Sequence, residues 1–266
     1  MNYFPILIKL AGRRVLVCGS NDEAEFKIRL LLKSSAEIVV FGTPTKKRIT
    51  QWSEEGLIQY NNRLVKERDC YNIAFAYVTL KKGMERNATL RILTKTKIPY
   101  CVVDDKLHSD FITPAIVDRN PVTVAIGSEG TAPALVRHIK AQIENILPQQ
   151  TGLVARITGA FRPFVYRLSE SHVRRHFWTR FFNQAKSQIF SHSSNQDLEA
   201  KLKTKLHDLL KSKESFKISN YPVQFVSAGP GDPDLLTRKA ANVLHDGEVI
   251  LYDRLIAPEI LELCRR

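Results

Sequence analysis

The chain has 266 residues, enough for about two domains of ordinary size, and its 44% hydrophobic content is normal for a globular protein. Forty Lys and Arg against 27 Asp and Glu leave a net charge of +13, which favours a polyanionic partner, either nucleic acid or a small polycarboxylate. No apolar run approaches the ~18 residues of a membrane span. The opening M-N-Y-F-P-I-L-I-K-L is too short and wrongly flanked for a signal peptide. The four cysteines (Cys18, Cys70, Cys101 and Cys264) form no C-x-x-C pair. Neither a zinc site nor a disulfide framework is therefore indicated, and a cytoplasmic protein is expected.

Arg14 to Cys18 (R-V-L-V-C) is a β-branched run that predicts a buried strand. Gly19-Ser20-Asn21-Asp22 reads as a turn, after which Ala24, Ile28, Leu31 and Leu32 fall at helical spacing. Glu37 to Phe41 predicts a second strand, and a βαβ unit of this length opens a dinucleotide fold. The fingerprint of such folds, G-x-G-x-x-G/A, is present in part. Gly19 and Ala24 hold its first and last places, and Asn21 replaces the second glycine. Asn tolerates left-handed backbone angles better than most residues. Its side chain nevertheless crowds the place where a pyrophosphate would approach.

Gly42-Thr43-Pro44-Thr45 follows the second strand without the acidic residue that often grips an adenosine ribose. Lys46, Lys47 and Arg48 suit a 2′-phosphate, though a solvated basic helix start explains them more simply. Leu57 to Tyr60 predicts a weak third strand, and Ile73 to Thr79 a strong fourth, apolar as a doubly covered parallel strand is. Met84 to Thr96 predicts a helix with Leu90 and Leu93 inward, and Tyr100 to Val103 a strand that closes the sheet. This alternation predicts an α/β, Rossmann-like doubly wound parallel sheet over residues 1–113. The last strand delivers Asp104 and Asp105 at its carboxyl end, where open α/β sheets bind ligands. On the residues alone Asp104 is a proton acceptor or a turn-capping Asp, and Asp105 a helper or turn residue.

A mainly helical region is expected over 114–219. Val122 to Ile126 predicts a strand running into Gly127-Ser128-Glu129-Gly130-Thr131, and a helix follows from about Ala132 to Leu147. Ser128, Gly130 and Thr131 lie where backbone N–H groups at a helix start favour anions. Leu135, Ile139, Ile143 and Ile146 form one stripe of that helix and need a partner surface. Thr151 to Phe190 interleaves basic residues such as Arg156, Arg174 and Arg180 with Phe161, Phe177, Trp178 and Phe181. Such a mixture suits single-stranded nucleic acid, but the three- and four-residue spacing of the aromatics fits a helical core stripe. Ser191 to Gln196 reads as a linker, Asp197 to Lys211 as an amphipathic helix, and Ser212 to Asn220 as a hinge. Residues 220–266 predict a βαβ fragment: strand Val223 to Ala228, turn Gly229-Pro230-Gly231-Asp232-Pro233, a helix, and strand Val249 to Tyr252 ending in Asp253-Arg254-Leu255. His108, His138, His172 and His176 are candidate metal ligands. None has metal-ligand spacing to a Cys or second carboxylate, so no resident metal is expected.

V-V-D-D followed by F-I-T-P-A-I-V-D-R-N-P-V-T-V-A-I-G-S-E-G-T-A-P-A-L resembles the middle of the bifunctional precorrin-2 dehydrogenase/sirohydrochlorin ferrochelatase family, the amino-terminal half of the sirohaem synthases. Arg175-His176-Phe177-Trp178 is similar to the R-x-F-W of that family's basic helical region. G-P-G-D-P with Y-D-R-L resembles the opening of the uroporphyrinogen-III C-methyltransferase domain. The resemblance implies NAD held around Asp22-Glu23 and Thr43-Pro44, beside the Gly19 and Asn21 turn. It implies Asp104 as the catalytic residue of both steps, with Ser128 against a substrate carboxylate and phosphorylated in some members. It further implies a tetrapyrrole substrate rather than nucleic acid, Fe2+ as substrate, and a homodimer interlocked through a dimerisation domain. Pro230 matches a position that contacts S-adenosylmethionine and Asp253 the proton acceptor of the methylase. With only one βαβ unit of that domain in the sequence, methyltransferase activity is not expected. The competing reading, prompted by Asn21 and the fragment, is a degenerate, non-catalytic tetrapyrrole- or nucleic-acid-binding protein.

Overall fold

A computed structural model describes residues 2–43, 46–168, 171–189, 194–211, 223–247 and 249–264. Its contacts divide into two compact units. One gathers Met1–Pro163 with Asn183–Thr204, and the other Phe164–Phe182 with Lys205–Arg266.

The first unit is built on five parallel strands in the order β3-β2-β1-β4-β5: β1 (Arg14–Cys18), β2 (Glu37–Phe41), β3 (Gln59–Asn61), β4 (Ile73–Val78) and β5 (Tyr100–Val102). The strands are rich in Val, Ile and Phe because both faces are covered. On one face Val15, Val17, Ile38, Val40 and Tyr77 pack under α1 (Asp22–Leu31) and α2 (Lys47–Glu54), through Ala24, Ile28, Ile49 and Trp52. On the other face Leu16, Val39, Phe41, Ala76 and Val78 pack with Leu93 of α3 (Met84–Lys95). Burying a large apolar side chain contributes about 1.5–3 kcal/mol, so these two layers dominate the stability of the unit. Cys18 and Cys101 are buried here as small apolar residues, and burial pushes both thiols up. The order of strands reverses between β1 and β4, where such sheets open a crevice at their carboxyl edge.

Beyond β5 the sequence indicated one strand where the structure has two. β6 (Ala115–Arg119) pairs antiparallel with β7 (Val122–Ile126) around a cis Asn120–Pro121 bond. Adjacent charges at Asp118 and Arg119 interrupt the apolar pattern of β6. Arg119 in fact points inward, its guanidinium donating to the carbonyls of Leu147 and Glu144, which end α4 (Pro133–Ile146). A side chain thus caps the helix's orphan carbonyls. No residue of α4 is buried, and Leu135 and Ile146 are exposed. Gly152, near the start of α5 (Thr151–Tyr166), meets the Arg119 and Asn120 carbonyls so closely that a Cβ would overlap them.

α6 (Ser171–Ile189) and α7 (Asn195–Lys211) follow, the latter burying Leu198, Leu202 and Leu206. In the second unit Phe177 and Phe181 are fully buried in an edge-on aromatic group with Trp178. The helical spacing of these rings therefore marks a core.

In the carboxyl-terminal fragment the expected helix forms as α8 (Arg238–Asp246), capped by Thr237, whose hydroxyl accepts from Ala240 N at 3.1 Å, and a single turn follows as α9 (Pro258–Leu261). The two expected strands do not form: 223–228 and 249–252 have no ladder partner among the described residues. Phe225 and Leu251, one in each of these segments, are almost wholly exposed. The Ser212–Asn220 hinge and Ser191–Ser193 of the linker lie outside the described residues.

Candidate active site

Three strand ends converge at the carboxyl edge of the sheet. Gly19 N donates to Phe41 O at 2.7 Å, and Thr79 N to Cys18 O at 2.8 Å. Gly19 has φ 127, and a Cβ there would overlap Thr79 Oγ1. A Cβ on Gly42 would lie 2.8–2.9 Å from Gly19 and Ser20 atoms. Only glycines permit this approach of β1 to its neighbours. Asn21 is extended (φ −86, ψ −173), not left-handed, so the expected use of Asn for unusual backbone angles does not apply. Its side chain does two other things. Oδ1 accepts from Ala24 N at 3.0 Å, capping α1, and Nδ2 donates to Thr79 O at 2.9 Å. Asp22 and Glu23 are exposed in the first helical turn, with Asp22 paired to Lys46 at 2.7 Å. Thr43 is exposed, and Pro44 lies outside the described residues.

Asp104 occupies the turn that ends β5, with φ 58. Val103 N donates to Val78 O at 2.9 Å and Asp105 N to Val102 O at 3.1 Å, so the chain reverses tightly around Asp104 and leaves it exposed. Asp and Asn are enriched among non-glycine residues in this conformation. The free edge of β5 is closed by side chains: Tyr100 N donates to Asp110 Oδ2 at 3.0 Å, and Val102 N to Ser109 Oγ at 2.9 Å. Asp105 lies between Arg86 of α3 and His108. Hydrogen bonds from His108 and then Arg86 hold its carboxyl far below the usual carboxylate range.

The Ser128 turn comes to the same place. Lys106 Nζ donates to the Glu129 carbonyl, and Gly130 lies against the Lys106 side chain. Glu129 (φ 51) accepts on its carboxylate from Asn2 N and Nδ2 at 2.7 and 2.9 Å. Thr131 N donates to Ser128 O at 2.9 Å, and Ser128 Oγ accepts from Ala132 N at 3.2 Å, shaping the entry to α4. The structure therefore joins the Asp104 and Ser128 turns, which lie at two separate strand ends in the sequence.

Lys27 was not legible as a site residue, since it sits one place off the Ala24–Ile28–Leu31 stripe. It is half-buried on α1, 4.9 Å from the centre of the Tyr77 ring, and donates to Thr113 Oγ1 at 3.1 Å. Burial lowers its ammonium, opposed by Cys101, Asp104 and Glu23. One cation thus interacts with both the start of α1 and Asp104. Arg86 and His108 were also missed as a pair, because their link to Asp105 is made only by the fold. Among the described residues no group of three His, Cys, Asp or Glu is placed to hold a metal ion. Pro230 and Asp253 are exposed in the carboxyl-terminal fragment, where Asp253 Oδ1 accepts from Leu255 N at 2.8 Å.

Comparison with known families divides the chain in three. Residues 6–115 match a putative NAD(P)-binding family, 150–206 the sirohaem synthase dimerisation region, and 222–266 the tetrapyrrole (corrin/porphyrin) methylases. The class these matches outline is an α/β fold similar in turn to NAD(P)-binding proteins, to a sirohaem synthase dimerisation region and to the tetrapyrrole methylases. Over its whole length the chain is similar to curated siroheme synthases and spans about half the length of each. It is 34% identical to siroheme synthase of Neisseria meningitidis serogroup B over 270 residues, 54% of that protein. To siroheme synthase of Methylococcus capsulatus it is 32% identical over 271 residues, 56% of that protein. Among solved structures, SirC, precorrin-2 dehydrogenase, superposes with a TM-score of 0.56 at 19% identity, covering 76% of this chain and all of that one, and so supports the fold.

Proposed function

We propose that this chain acts in sirohaem biosynthesis, oxidising precorrin-2 to sirohydrochlorin with NAD and then inserting Fe2+ as substrate to give sirohaem. The observation that carries the reading is Asp104. It is an exposed carboxylate held in a left-handed turn at the sheet's carboxyl edge, tied through Lys106 to the Ser128 turn.

The residues at the edge fit a dinucleotide in part. Gly19 and Gly42 let the strand ends close up, and the backbone of the turn before α1 is presented at the switch point. The acids at the start of α1 oppose a tight phosphate site there, so backbone contacts around Asp22-Glu23 and Thr43-Pro44 would hold the group. When bound, NAD supplies the hydride acceptor. Asp104 takes the proton that leaves the macrocycle, within the field of the Lys27 ammonium. Ser128, Gly130 and Thr131 would meet a substrate carboxylate, and the net charge of +13 draws such a polyanion in. Ser128 is also the candidate phosphorylation site.

α4 and the dimerisation region support a homodimer, with the exposed apolar positions of α4 covered by a second copy. No helix among the described residues is long and apolar enough to cross a membrane, and we place the protein in the cytoplasm. Methyl transfer is not part of this reading, since 223–228 and 249–252 have no ladder partner among the described residues. The nucleic-acid alternative loses Phe161, Phe177 and Phe181 as stacking rings, since they are buried, while Phe164, Tyr166 and Phe182 stay exposed. A coupled assay with precorrin-2, NAD and Fe2+ tests the proposal. NADH formation followed by sirohaem absorbance is expected, and the absence of both overturns it.

A further inference from the structure

The carboxylate of Asp105, the residue after Asp104, is engaged on both oxygens. Oδ2 pairs with the Arg86 guanidinium from α3, and Oδ1 contacts His108 Nδ1 at 2.9 Å. The Arg86 and Asp105 side chains are 8% and 10% exposed, whereas His108 is 60% exposed. An almost buried ion pair is weak evidence of a stabilising role. Here it fixes the orientation of Asp105, and Asp105 in turn fixes His108. An ionised carboxylate only accepts hydrogen bonds, so Nδ1 carries the proton of the neutral ring and Nε2 is left as an acceptor. The partner of Nδ1 is buried and the rest of the ring is open to solvent. A base oriented by a third group is the recurring arrangement of an active proton acceptor. His108 lies on the short turn that begins at Asp104, four residues along.

We propose that His108 is a second proton acceptor of this site and that it serves the chelation step. The proposal rests on the reading above that the chain inserts ferrous iron. Proton stoichiometry separates the two steps. Oxidation of precorrin-2 sends one hydride to NAD and one proton to a base, so Asp104 suffices. Insertion of iron breaks two pyrrole N–H bonds as the ring nitrogens bind the metal. Iron enters and stays ferrous, nothing is oxidised or reduced, and two protons must leave. The Asp104 carboxylate takes one, and His108 Nε2 takes the other. The imidazolium so formed is stabilised by Asp105, whose charge Arg86 holds in place. Both acceptors then return their protons to solvent.

The test uses the full chain, with anaerobic initial rates for NADH formation from precorrin-2 and for sirohaem formation from sirohydrochlorin and Fe2+ above the uncatalysed background. A positioned acid–base group contributes roughly 10²–10⁴-fold. His108→Gln is expected to lower the chelatase kcat by about that range while dehydrogenation stays within about threefold. His108→Gly is expected to regain chelatase activity on addition of free imidazole, a response that a merely structural role would not give. The proposal is overturned if His108→Gln leaves chelation within about threefold, if both activities fall together, if imidazole restores nothing, or if only the KM for Fe2+ rises. A wild-type chain inactive in both steps overturns the functional reading itself. Wild-type activity in both steps with an indifferent His108→Gln removes only the role of His108.

Discussion

Lys27 Nζ donates a hydrogen bond to Thr113 Oγ1 at 3.1 Å, and Thr113 Oγ1 in turn donates to Tyr77 OH at 3.0 Å. This chain ties α1, whose start borders the proposed dinucleotide site, to the segment leaving β5 just beyond Asp104. A half-buried ammonium carries a desolvation cost, and a hydrogen bond made by a charged group offsets it by a similar amount. Lys27→Met is therefore expected to change stability by no more than about 1 kcal/mol. The same change removes a cation whose field reaches Asp104 and should lower dehydrogenase kcat about tenfold, the equivalent of ~1.4 kcal/mol in the barrier. Thermal melting and steady-state kinetics on the same preparation check both halves. A collapse in stability with normal kcat per folded molecule would assign Lys27 to the fold alone.

Asp104 is best tested by a residue that keeps its backbone. Asn shares the tolerance of Asp for a positive φ, so Asp104→Asn removes the charge without straining the turn. Both steps should fall by about 10²–10⁴-fold, with NAD affinity and oligomeric state retained. A loss under tenfold in both activities would count against Asp104 as the shared base.

Asn21 offers a test of the imperfect glycine fingerprint. Asn21→Gly gives up the cap on Ala24 N and the bond to Thr79 O, at a cost of about 1 kcal/mol in unfolding free energy. Because the native side chain is tethered to Thr79, restoring the glycine should not tighten NAD binding more than about threefold, the equivalent of ~0.6 kcal/mol. Isothermal titration of both proteins measures this directly, and a large gain in affinity would show that Asn21 obstructs the pyrophosphate.

Acid should loosen the protein through specific carboxylates. The Asp69 carboxyl is held low by its two bonds from Arg63, at 2.7 and 2.9 Å, and Asp105 is held low by His108 and Arg86. A depressed folded-state value means that the native form binds fewer protons than the unfolded chain. The stabilisation is complete above the unfolded aspartate range near ~4 and is lost as pH falls through the lower folded values. Asp69→Asn should accordingly be less stable than wild type at neutral pH, with the gap closing as pH falls below ~4. Urea midpoints at pH 7 and pH 3 compare the two, and a constant gap would exclude linkage at this residue.

The sheet was legible because its strands are unbroken β-branched runs and its helices carry apolar residues at regular spacing. Asp104 was legible for the same reason, since a strand end is a position in sequence as well as in space. Features made by long-range pairing were not. Arg119 looks like a surface charge until its carbonyl partners at the end of α4 are known. The Arg86–Asp105–His108 link joins a helix to a turn nineteen residues on. Local apolar pattern also misled at the carboxyl end: Val223–Ala228 and Val249–Tyr252 have strand composition, but a ladder requires neighbours that these segments lack among the described residues.

The exposed Leu135 and Ile146 of α4 bear on how stability itself should be measured. Association that covers Leu135 and Ile146, as proposed, makes folding and assembly a single equilibrium governed by mass action. Dilution then acts as a mild denaturant. The melting temperature should climb by several degrees, roughly 2–4 °C for each ~1 kcal/mol of linkage, as subunit concentration is raised a hundredfold. A melting temperature indifferent to concentration would mean that α4 survives uncovered, and any free energy of unfolding could then be quoted without stating how much protein was in the cell.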